Sequence, residues 1–170
     1  MIKPIPEEIK DYLKYDPITG DIVWIKKASK KVILNVPITT TTKAGYIQIM
    51  FKGINYRGHR IAWFLHTGEQ PPKYLDHRNN IRTDNAFTNL RVATASQNNS
   101  NRDKSPCNTS GYKGVNFHAG VGKWRASISI NNKAKHLGWF DTPELANESY
   151  QEASLKIQGE FSFKHKELLR

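Results

Sequence analysis

Leu75-Asp76-His77-Arg78-Asn79-Asn80-Ile81-Arg82-Thr83-Asp84-Asn85-Ala86-Phe87-Thr88-Asn89-Leu90-Arg91 is the stretch on which the reading of this chain turns. With its continuation to Asn101 it is crowded with Asn, Asp, Arg and Thr, too polar for a core and too varied for a simple linker. Chemistry is expected there. Just upstream, Ile61, Ala62, Phe64 and Leu65 follow helical spacing, and Gly68 with Pro71-Pro72 ends that segment. Further back, Tyr46 to Phe51 alternates around Gln48 and Ile22 to Ile25 forms a second short strand after a turn at Asp16–Gly20. Pro6 to Tyr15 is expected to be a short helix.

Downstream, residues 102 to 109 carry no apolar periodicity and mark the expected boundary between modules. Beyond it, Gly114–His118, Trp124–Ile130 and Lys135–Phe140 read as three short strands joined by Gly- or Asn-containing turns. In the middle strand Trp124, Ala126, Ile128 and Ile130 share one face, while Arg125, Ser127 and Ser129 share the other. Thr142-Pro143 starts a helix whose Ala146, Tyr150, Ala153 and Ile157 form one stripe for the Trp124 face. Trp63, Trp124 and Trp139 have apolar neighbours and are expected in cores rather than stacked on bases. The chain is thus α+β, with a β-rich extension over 1–55, a catalytic core over 56–101, a linker over 102–110 and a sheet-and-helix module over 111–170.

Composition narrows the partner. With 170 residues and 38% hydrophobic content, one modest core or two small ones can be buried, not a large enzyme fold. The net charge of +11 implies a polyanion, because each Lys or Arg that meets a phosphate releases a counterion. No long apolar run or signal peptide supports a membrane role, so nucleic acid is the expected partner; double-stranded DNA and a cytoplasmic monomer are what the family resemblance of the residues below implies. The single cysteine, Cys107, excludes a disulfide framework and a thiolate zinc site. Any metal must rest on carboxylate, amide or imidazole donors, which points to one Mg²⁺ or Mn²⁺ ion. Between Gly111 and Thr142 stand Lys113, Lys123, Arg125, Lys133 and Lys135 against Asp141, which makes the open face of the sheet the expected DNA surface.

A phosphodiester hydrolase needs an oxygen ligand for a cation, a base for water and a group to orient that base. Asp76 is a hard anionic ligand and Asn98 a neutral amide oxygen on a following helix. His77 takes the proton from water, and Asn89 holds its imidazole in the productive tautomer. Arg78, Arg82 and Arg91, with Arg102, are read as phosphate-positioning side chains. His59 and Asn101 are accessory candidates, His59 having a backbone hydrogen bond as its alternative role.

At these residues the chain resembles the HNH endonucleases, particularly the phage and intron-encoded homing branch. The match is His59-Arg60-Ile61-Ala62, Leu75-Asp76-His77, Asp84-Asn85, Asn89-Leu90-Arg91, Thr94 and Gln97-Asn98 through Asn101. The resemblance implies a β-hairpin and helix gripping one metal, with Asp76 and Asn98 as ligands, His77 as base and Asn89 as its orienter. The second module is similar to the APETALA-type, or ethylene-response-factor, DNA-binding domain in Ser110–Val115, Lys123–Ala126, Leu137–Phe140 and Gly159–Phe161. That likeness implies a three-stranded sheet laid in the major groove, with Lys113, Asn116, His118, Arg125, Ser127, Ser129 and His136 as candidate contacts. The expected function is a divalent-metal-dependent DNA endonuclease that nicks or cuts both strands. The alternatives are a sequence-specific DNA-binding regulator with an inactive nuclease core, and a structure-directed or nonspecific nuclease.

Overall fold

The computed structural model describes residues 3–101, 104–105, 107–130 and 133–162. Arg102, part of the expected linker, the expected Asn-containing turn at 131–132 and residues 163–170 lie outside the described residues. The chain forms two compact units that divide between Val92 and Ala93.

In the first unit a 3-10 turn at Glu7–Asp11 leads into β1 (Leu13–Tyr15), which pairs antiparallel with β2 (Ile22–Trp24). The expected helix over Pro6–Tyr15 therefore stops at Asp11. The Asp16–Gly20 turn explains why: Asp16 Oδ1 accepts from the Ile18 amide at 2.8 Å and the Gly20 amide returns to the Asp16 carbonyl at 2.9 Å, folding Tyr15 back onto Ile22. A second hairpin, β3 (Gln48–Phe51) with β4 (Ile54–Arg57), runs directly into α1 (Gly58–Thr67). Gly68 at φ 77° caps α1 in the left-handed region, as its position past the last apolar residue predicts. Arg60 donates to the carbonyls of Pro71 and Pro72 at 3.0 and 2.8 Å, tying α1 to the chain entering β5 (Leu75–His77). β5 pairs antiparallel with β6 (Leu90–Val92).

One core serves all of these elements: Ile9, Leu13, Trp24, Phe51, Phe64 and Leu90 are all buried in it. Burying each such side chain is worth about 1.5–3 kcal/mol. Residues from the expected extension and from the catalytic stretch share this core, so the extension is structurally part of the site's platform.

The second unit begins with α2 (Ala95–Ser100), started by a capping box in which the Thr94 hydroxyl accepts from the Gln97 amide and the Gln97 side chain accepts from the Thr94 amide. Lys113 Nζ donates to the Ser100 carbonyl at 2.5 Å and holds the other end. β7 (Val115–His118), β8 (Lys123–Ile130) and β9 (Lys133–Phe140) form an antiparallel sheet in that order, and α3 (Pro143–Gln158) packs on all three strands. Gly114 at φ 74° must be glycine, since a Cβ there would lie 2.3 Å from the Tyr150 ring. Val115, Ala126 and Ala146 form the small core, flanked by Trp124 and Phe140.

Two expectations for this unit are corrected. Ile157 is 40% exposed while Ser154, four residues after Tyr150, is fully buried, so the buried stripe of α3 follows 146, 150 and 154. Trp139 is also out of the core, at 39% exposure. A bulge places Leu137 as an extra residue between the pairs Ser127–His136 and Ala126–Gly138. It thereby puts both His136 and Trp139 on the face of Arg125 and Ser127, where the Trp139 ring meets the rings of His118 and His136 at 5.1 Å each.

Candidate active site

The antiparallel register of β5 and β6 sets Asp76 opposite Arg91 and His77 opposite Leu90. Asp76 and Arg91 are 6% exposed each, and Arg91 Nε donates to Asp76 Oδ2 at 2.9 Å while Nη2 lies 2.8 Å from the same oxygen. Arg91 was expected on a phosphate. Its cross-strand position instead makes it the buried partner of Asp76, fixing the direction of that carboxylate.

His77 is 5% exposed, and burial pushes its imidazole below the ordinary value of 6.5, with a hydrogen bond to Asn85 pulling the other way. The imidazole is neutral at pH 7. Its Nε2 lies 3.3 Å from Asn85 Oδ1. An amide oxygen can only accept, so the proton sits on Nε2 and the lone pair on Nδ1.

The orienting role expected of Asn89 is therefore corrected. Asn89 Oδ1 accepts from the Asn79 amide at 3.0 Å and Nδ2 donates to the Asp84 carbonyl at 2.8 Å, so its side chain braces the loop between the strands. Asn85 is the residue that composition failed to single out, because one Asn in an Asn-rich run carries no distinguishing local signal. It is 2% exposed and fixed from outside the loop: Tyr15 Oη donates to its carbonyl at 2.8 Å. Beside it the Phe87 amide donates to the Pro17 carbonyl, and a Cβ on Gly20 would sit 2.3 Å from the Ala86 nitrogen. The Asp16–Gly20 turn thus presses directly on the segment that steers His77.

His59, near the start of α1, is 4% exposed and its ring lies edge-on to His77 with centroids 5.1 Å apart. Its Nδ1 is buried without a hydrogen-bond partner, which removes the backbone bond considered for it. Burial first, then the neighbouring His77, Arg57 and Arg60, depress its pKa well below 6.5. The unfolded chain takes up this proton as pH falls through about 6.5 and the folded chain does so only lower. His59 therefore contributes stability that is complete above 6.5 and lost on acidification towards its own lowered value. The melting temperature is expected to fall between pH 7 and pH 5, and less so in His59→Gln; parallel falls in both proteins rule out His59 as the source.

Asp76, His77 and Asn89 come together on one hairpin. Asn98 and Asn101 belong to the second unit, Asn98 half-buried on α2 and Asn101 as the buried residue that ends it. Among the described residues no group of three His, Cys, Asp or Glu side chains is placed to hold a metal ion. The donor chemistry nevertheless suits a hard divalent cation, which is bound through one or two carboxylates completed by substrate phosphate and water. Asp76 supplies a buried carboxylate that Arg91 holds in place. Arg78 and Arg82 are exposed beside this centre. On the sheet, Asn116, His118, Arg125, Ser129 and His136 are exposed and Ser127 is half-buried. Lys113 lies off the strands, engaged with Ser100, which corrects its expected place among the sheet contacts.

A two-stranded hairpin bearing a carboxylate and an imidazole at consecutive positions, followed along the chain by a capped helix, has the element order of an HNH-type ββα nuclease domain. Residues 56–100 match the family model described as HNH endonuclease, which supports a nuclease acting on DNA. The chain is also 27% identical over 107 residues to Protein 3.8 of Escherichia phage T7, an alignment covering 62% of this chain and 88% of that protein. No solved structure matches the chain. Among the described residues no helix is long and apolar enough to cross a membrane.

Proposed function

We propose that the protein is a homing-type HNH endonuclease that hydrolyses phosphodiester bonds of double-stranded DNA with one Mg²⁺ or Mn²⁺ ion, cutting or nicking. The observation that carries this reading is the adjacency on β5 of a buried carboxylate pinned by Arg91 and a neutral imidazole steered by Asn85. Asp76 would hold the ion, with Asn98 as the further ligand that the family resemblance implies, and the ion when bound would supply positive charge to the scissile phosphate and its leaving oxygen. His77 accepts the proton of the attacking water at Nδ1, while Asn85 keeps the other ring nitrogen protonated. Asn89 keeps the loop in the shape that presents both.

Docking falls to the open face of β7–β9, in the manner of the APETALA-type domain. Arg125, flanked in register by Asn116 and Trp139, stands at the middle of that face. Arg125→Ala is expected to make the salt dependence of DNA binding shallower by about one counterion. An unchanged slope removes the sheet as the docking surface.

The activity itself is read by incubating supercoiled DNA with Mg²⁺, with EDTA and with His77→Ala protein. Nicked or linear product only in the first supports the reading. Binding without cutting under all three conditions leaves a DNA-binding regulator.

A further inference from the structure

Arg57 and Arg82 are exposed guanidinium groups that no carboxylate pairs among the described residues, and both are gathered on one aromatic ring. The guanidinium carbon of Arg57 lies 4.6 Å from the centre of the Tyr46 ring, and that of Arg82 lies 5.2 Å from it. Arg82 is further anchored by donating from Nη1 to the Ala44 carbonyl at 2.6 Å.

The ring is itself held in place by a tight turn. The Thr42 amide donates to the Tyr46 carbonyl at 2.9 Å, Thr42 Oγ1 accepts from the Tyr46 amide at 3.2 Å, and Gly45 occupies φ 81° within the turn. Tyr46 also borders the candidate base: its ring centroid is 6.0 Å from that of His77 and 5.3 Å from that of His59.

Two like charges repel, so gathering them needs a compensating group. The face of an aromatic ring offers partial negative charge to guanidinium planes while leaving their N–H edges open to an anion. Each guanidinium thus keeps planar N–H donors near a ring that borders the imidazole, and phosphate oxygens accept from such donors.

We propose that Arg57 and Arg82, arrayed on Tyr46 beside His77, form a seat for a backbone phosphate of DNA. The turn at 42–46, outside the stretch matched to the nuclease family, thereby becomes part of substrate binding. The proposal rests on the nuclease reading for its ligand, yet its test does not require cutting.

The protein in EDTA is titrated with a short fluorescent DNA duplex over a series of KCl concentrations. The Arg57→Ala/Arg82→Ala protein is expected to bind about tenfold or more weakly at low salt, with a slope shallower by about two counterions. Arg57→Gln/Arg82→Gln, which keeps side-chain bulk, is expected to behave alike, and Tyr46→Leu to weaken binding with the slope retained. Unchanged affinity and slope in both double variants, with melting temperatures equal to wild type, overturn the seat. If binding responds as expected but wild type with Mg²⁺ never cuts, the seat stands and the nuclease reading falls. If wild type cuts while both double variants bind as wild type does, the nuclease reading stands and the seat falls.

Discussion

His77→Ala is expected to lower the rate of DNA cleavage by about 10²–10⁴-fold, the contribution of a positioned general base. The expectation follows from burial and hydrogen bonding together. Burial keeps the imidazole neutral at working pH, and Asn85 Oδ1 decides which nitrogen carries the lone pair. Neither property survives in alanine, whereas the β5–β6 ladder and the Asp76–Arg91 pair are made by other atoms and persist. Single-turnover cleavage of a supercoiled plasmid at saturating protein isolates the chemical step, and binding measured in EDTA shows whether the variant still engages DNA. A His77→Ala protein that cuts within a few-fold of wild type removes the proposed base.

The second large effect concerns folding. Arg91→Ala is expected to destabilise the first unit by about 3–5 kcal/mol, because it leaves the Asp76 carboxylate buried with its counter-ion gone. Both side chains are almost fully out of water, at 5% and 7% exposure, so solvent cannot take over the role of the guanidinium. Urea denaturation read through the fold of the first unit measures the loss. A phosphate contact would behave differently: its removal would leave stability near wild type and flatten the salt dependence of binding. Loss of less than about 1 kcal/mol, accompanied by a shallower salt slope, would return Arg91 to the DNA-facing role that its charge alone suggests.

Much of the molecule was legible in local patterns. Alternation through Trp124–Ile130 identified β8 and the face it buries, and the pairing of Thr142 with Pro143 located the start of α3. Helical spacing with Gly68 at its end located α1. An Asp beside a His is by itself most often structural; what singled the pair out was the spacing of Asp76, His77, Asn89 and Asn98 together, on which the resemblance to the HNH endonucleases rests. The identity of their partners was not legible. Arg91 looks like any basic residue until cross-strand register sets it against Asp76. Asn85 and Asn89 are indistinguishable by composition, yet one meets the imidazole and the other meets backbone.

The same division holds on the sheet and in the N-terminal region. Strict alternation places His136 and Trp139 on opposite faces, and one bulged residue brings them together. Tyr15 and Gly20 carry no mark of a role at the site until the folded chain sets them against residues 85 and 86. Period, caps and turn chemistry are properties of neighbours along the chain, so elements can be inferred from order alone. Register, burial and the partner of each charge depend on contacts between residues far apart in order, and only packing around a shared core selects among them.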